Sequence, residues 1–144
     1  MSQPVPLEGL RAATDERGAW AYVLTVSDES RSHAVHGAVR WEGDVLLVAV
    51  GARSAANAAA RPLVSLLYPA RSEGDYTLIV DGTAAVADGE LRITPTKAIL
   101  HRHRGPGSEV GTSGACASDC VPIATPADER AARRGGLDRS GKLG

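Results

Sequence analysis

Two stretches of this chain carry residue types that can do chemistry. The first is Val48–Leu67, VAVGARSAANAAARPLVSLL, where Gly51, Arg53, Ser54 and Asn57 lie between an apolar run and an alanine-rich one. A strand ending at Gly51 and a helix beginning near Arg53 would set free N–H groups and a positive dipole end beside a guanidinium and a hydroxyl. Phosphate is the ligand such a turn suits. The same residues also read as a plain helix start, with Ser54 as the cap and Arg53 solvated. The second stretch is His101-x-His103 followed by Cys116-x-x-x-Cys120. Four such side chains can ligate zinc, but the cysteine spacing is a poor match to a zinc knuckle. Free thiols are the simplest reading, a local disulfide the next, and no metal is expected. His33 and His36 are placed on opposite faces of one strand, and Tyr68 at the end of another, where it packs or lines a cleft.

Composition bounds the rest. Of 144 residues, 43% are hydrophobic, enough for a core. Lys+Arg number 16 against Asp+Glu 17, a net charge of −1. That balance argues against a dedicated nucleic-acid binder. No apolar run approaches the roughly 20 residues of a membrane span, and Met1–Leu10 lacks the pattern of a secretory leader. The expectation is a cytoplasmic protein without membrane or nucleic-acid partners. With no Phe, three Tyr and two Trp, the core must be built from Val, Leu, Ile and Ala.

Hydrophobic period then assigns the elements. Leu7–Glu16 has helical spacing and stops at Gly18. Ala19–Ser27 reads as a strand, and Ser32–Trp41 alternates with His33, Val35, Gly37, Val39 and Trp41 on one face. Asp44–Val50 is a nearly continuous apolar run, as for a strand buried on both sides. Arg53–Arg61 reads as a short helix stopped by Pro62, and Leu63–Tyr68 as the next strand. Asp75–Ala87 and Glu90–Arg102 flank Asp88-Gly89, a two-residue hairpin signal. Pro95 requires an edge or a bulge. Six hairpin-connected strands without βαβ alternation predict a mainly β fold. The architecture expected is a six-stranded antiparallel split β-barrel, with short helices at the N-terminus and between strands 3 and 4. Residues 1–104 form the expected barrel domain. Residues 105–144 read as a Gly-rich tail, partly ordered at best, with a short helix at Pro126–Arg134.

From Ala19 to Arg104 this order of elements resembles the split-barrel flavoproteins related to pyridoxamine 5′-phosphate oxidase, including an actinobacterial branch that uses flavin or deazaflavin. The matching segments are AYVLTV, the turn and helix after Gly51, RPLVSLL, and the hairpin DYTLIVDGTAAV with LRITPTKAILHRH. The resemblance implies that Gly51, Arg53, Ser54 and Asn57 hold a cofactor phosphate, and that Val35, His36, Gly37 and Ala38 line the isoalloxazine. It implies FMN or a deazaflavin, hydride transfer to or from a small organic substrate, and a homodimer. A non-enzymatic barrel that binds or sequesters a flavin, deazaflavin or haem is the alternative. One departure stands out. Members of that family often carry Lys or Arg two residues after the turn Ser, where this chain has Ala56, so the expected side-chain charge rests on Arg53.

Overall fold

The computed structural model describes residues 6–103 and 118–123. A 3-10 turn at Leu7–Gly9 leads into α1 (Leu10–Asp15). Then follow β1 (Trp20–Val26), β2 (Ser32–Glu42), β3 (Val45–Ala49), α2 (Ala52–Ala60), β4 (Leu63–Tyr68), β5 (Thr77–Ala87), β6 (Glu90–His103) and β7 (Ser118–Ile123). The strands lie in the order β3-β2-β1-β4-β5-β6-β7, and β3 also pairs with β6. That last pairing closes six antiparallel strands into the expected barrel. One edge of β6 is divided between two partners. Glu90–Ile93 bonds β3, and Ala98–His103 bonds β7.

The strand β7 falls within the segment read as a tail. Its backbone sets Cys120 opposite His101. Cys116 and the expected helix at Pro126–Arg134 lie outside the described residues. Among the described residues, no group of three or more His, Cys, Asp or Glu is arranged to hold a metal. No helix there is long and apolar enough to cross a membrane.

Alternation fixes which side chains enter the barrel. Ala21 and Val23 of β1, Val39 of β2, Leu78 and Val80 of β5, and Leu91 and Ile93 of β6 are all buried in one core cluster. Tyr68 is the largest fully buried side chain, in keeping with a core that has no Phe. The Asp88-Gly89 tip is a two-residue turn with both φ values positive, 52° and 76°, the conformation that matches strand twist. Pro95 sits at a bulge. Asp81 faces Lys97 and Gly82 faces Pro95, which leaves Thr96 as the extra residue.

The two helices dock differently. Leu10 of α1 joins the core cluster, and the Trp41 indole N–H donates to Thr14 Oγ1 at 2.9 Å. Gly18, at φ +86°, turns the chain from α1 into β1. The helix α2 packs on β1 and β5.

Candidate functional site

The turn after β3 is built as the sequence suggests, with one shift. Helix α2 starts at Ala52, and Gly51, not Ser54, is its N-cap, with no side-chain capping bond. The first N–H groups of such a helix have no intrahelical partner. Ser54 is the third helical residue and only 1% exposed, so its side chain faces the protein. Asn57 is also buried, and its Nδ2 donates to Thr25 Oγ1 of β1 at 3.1 Å. Arg61, just past the helix, donates to Val26 O and to Asp28 Oδ1, both at 2.7 Å. These bonds fasten α2 beside the β1–β2 hairpin.

Between hairpin and helix lies a cavity of about 550 Å³. Arg53, Ala56 and Asn57 line it from α2; Ser27, Asp28, Glu29, Arg31, Ser32 and His33 line it from the hairpin. Of the eight residues expected at a site, only Arg53 and Asn57 line this cavity. Arg31 was not among the eight. It lines the cavity from the hairpin, so two arginines border it instead of one. Neither Arg31 nor Arg53 makes a side-chain hydrogen bond or ion pair with a described residue. Asp28 on the same rim is neutralised by Arg61. A lone Arg in a polar hairpin gives no local sign of this role. The sign lies in packing: once Asn57 meets Thr25, the next hairpin must face the first turns of α2.

The segment Val35–Ala38 is divided by strand alternation. Val35 and Gly37 face inward and His36 and Ala38 outward. A Cβ on Gly37 would meet Val48 Cγ2 at 2.9 Å, so its inner side is full. His36 stands among exposed aromatics. Its ring centroid is 5.1 Å from that of Trp20 and 4.8 Å from that of Tyr22. Trp20 and Tyr22 are 57% and 42% exposed, and Leu63, on the same outer face of the sheet, is 74% exposed.

The chain is 33% identical over 142 residues to the uncharacterized proteins Mb0449c of Mycobacterium bovis and MT0457 of Mycobacterium tuberculosis. The match covers 87% of this chain and 99% of each relative. The chain belongs to the family of these mycobacterial proteins. No protein-family model matches it. Among solved structures, one similar chain superposes with a TM-score of 0.56 at 18% identity, covering 83% of this chain and 96% of that one. Another, a heme binding protein from Mycobacterium smegmatis, superposes with a TM-score of 0.54 at 13% identity, covering 85% of this chain and 60% of that one. At such identities the likeness is one of fold. This member of the mycobacterial family is a split-barrel protein.

Proposed function

We propose that this protein binds a phosphate-bearing redox cofactor, FMN or a deazaflavin, and passes a hydride between it and a small organic substrate. The observation that carries the reading is the convergence of Arg31 and Arg53, unpaired among the described residues, on one cavity beside the start of α2. Two guanidiniums and a helix N-terminus are donors suited to a phosphate dianion. When bound, the cofactor supplies the hydride chemistry. The chain supplies the rest. Arg31 and Arg53 hold the phosphate, Asn57 keeps α2 against β1, and the outer face of β1 and β2 offers Trp20, Tyr22 and His36 to a flat ring system. We place a second copy of the chain over this exposed face, which makes the working unit a homodimer.

Binding is tested by titrating FMN and a deazaflavin into the protein. A charge-assisted hydrogen bond contributes roughly 1.5–3 kcal/mol. Arg53→Ala and Arg31→Ala should therefore each weaken binding by about ten- to a hundredfold. Ala56→Lys adds a third cation on the wall of the same cavity and should tighten binding. If neither cofactor binds the parent and Ala56→Lys rescues nothing, the reading fails.

One observation favours a second reading, haem binding without catalysis. His36 presents an imidazole between two exposed aromatic rings, a set able to ligate haem iron and cover a porphyrin. A neighbour in fold is a heme binding protein. Added haem should then give a Soret band that His36→Ala abolishes, while Arg53→Ala leaves it in place. The flavin reading predicts the reverse sensitivity.

A further inference from the structure

His33 lines the same cavity as Arg31 and Arg53, and the backbone brings the three together. In register His33 lies directly opposite Thr25 of β1, so their side chains leave the same face of the sheet. Thr25 is the residue that Asn57 bonds, at 3.1 Å. Arg53 precedes Asn57 by one helical turn and shares its side of α2. Arg31 is fixed at the hairpin: its N–H donates to Ser27 Oγ at 3.2 Å, and its carbonyl accepts from the Ser27 N–H at 2.9 Å. The Thr25–Asn57 contact is thus bordered by His33 on the strand side and by Arg53 on the helix side.

The half-buried His33 ring makes no hydrogen bond, ion pair or ring contact with a described residue. Among the described residues no buried side-chain N or O atom lacks a partner, so its nitrogens are open to solvent rather than orphaned. Charge then selects what they meet. Asp28 is paired with Arg61 at 2.7 Å, and Glu29 has no ion-pair partner among the described residues. Arg31 and Arg53 against Glu29 leave the cavity one positive charge. The other lining groups, Ser27, Ser32, Ala56 and Asn57, are uncharged. A phosphate monoester carries close to two negative charges at neutral pH. An imidazolium supplies the missing positive charge and a further N–H donor.

We propose that protonated His33 is the third cationic donor to the phosphate held by Arg31 and Arg53, and so ties cofactor binding to pH. This rests on the phosphate-cofactor reading of the cavity. Imidazole is the side chain that ordinarily changes charge between about pH 5 and 8, whereas guanidinium stays charged and carboxylates ordinarily titrate lower. Because phosphate favours the charged ring, the gain is complete where the ring is already protonated without ligand. It is lost as pH rises through the titration of the bound form. A phosphate monoester itself takes up a proton at about pH 6, so parent and variant are compared at each pH.

The probe is FMN, or the deazaflavin should that alone bind, titrated into the full chain at about pH 6 and about pH 9, either side of the ordinary imidazole range. At the lower pH His33→Gln should bind about tenfold more weakly than the parent, and at the higher pH the two should converge. His33→Lys, charged throughout, should match the parent at the lower pH and exceed it by about tenfold at the higher. Riboflavin, or the phosphate-free deazaflavin, should show no difference between parent and His33→Gln. A parent-to-variant ratio that is the same at both pH values overturns the proposal, as does an equal loss with the phosphate-free control. If those results come with a parent that binds cofactor and loses it in Arg53→Ala, the phosphate reading survives and only the role of His33 falls. If neither cofactor binds the parent at either pH, both fall. Should His33→Gln fail to fold, His33→Lys against the parent decides.

Discussion

Gly82 is required by its neighbours rather than by its own φ. A Cβ there would meet Thr94 O at 2.6 Å and Ile93 Cγ2 at 2.7 Å. The first of these is backbone and cannot rotate away. Gly82→Ala should therefore destabilise the fold by about 1–3 kcal/mol, read from urea midpoints. Asp75 is held in another way. Its carboxylate accepts from the backbone N–H of Tyr76 at 2.8 Å and of Arg71 at 3.3 Å, and these bonds hold its pKa below the usual carboxylate value. Because the folded value is the lower one, this stabilisation is present above the unfolded pKa and is lost as pH falls through the folded pKa. Asp75→Asn should flatten the loss of stability below about pH 4, measured as urea midpoints at pH 7 and pH 3. The need for a bulge at Pro95 was legible, since proline cannot donate to a ladder. The glycine opposite it was not, because the partner is set by register across the hairpin.

At the level of elements, β3 is the strand that its apolar run promised. Leu46 and Val48 enter the core, while Leu47 points outward and is still buried. In register Leu47 lies between Arg40 of β2 and Arg92 of β6. Two ion pairs span β3 on that side, Arg40–Glu90 at 2.7 Å and Arg92–Glu42 at 3.0 Å. Their aliphatic stems and planar heads give Leu47 its cover. Exposed pairs of this kind contribute little by themselves, whereas truncating a buried leucine costs about 2–5 kcal/mol. Leu47→Ala should thus lower stability far more than Glu90→Gln in the same denaturation assay. The alternation of β2 and β5 was readable because one strand carries it entirely. The cover over Leu47 was not, because Arg40 and Glu90 are fifty residues apart and meet only when the barrel closes. Arg31 was missed for a similar reason. It joins Arg53 only after α2 has folded back on β1.

For the whole molecule, Leu63, Trp20 and Tyr22 on the outer sheet face are the most exposed large hydrophobic side chains among the described residues. Apolar patches of this kind mark interaction surfaces. If a second copy covers it, sedimentation should give a dimer for the parent and a monomer for Trp20→Arg or Leu63→Arg. An equal mass for all three would remove the dimer from the proposal. Order of elements was enough to reach the barrel from sequence, since six hairpin-linked strands have few other ways to hide their edges. Which faces remain bare outside depends on barrel closure, and residue type alone does not reveal it.

The seam between β3 and β6 also sets an order in time. The β5–β6 hairpin needs only the Asp88-Gly89 turn to form, whereas the seam joins Leu46 to Ile93 across everything that α2, β4 and β5 contribute. Loop-closure entropy makes such a junction slow to form. With four residue pairs against eleven in the hairpin, it is also the shorter zipper. The barrel should therefore breathe along this line. In hydrogen exchange, the amides of β3 that face β6 should lose protection ahead of those between β5 and β6.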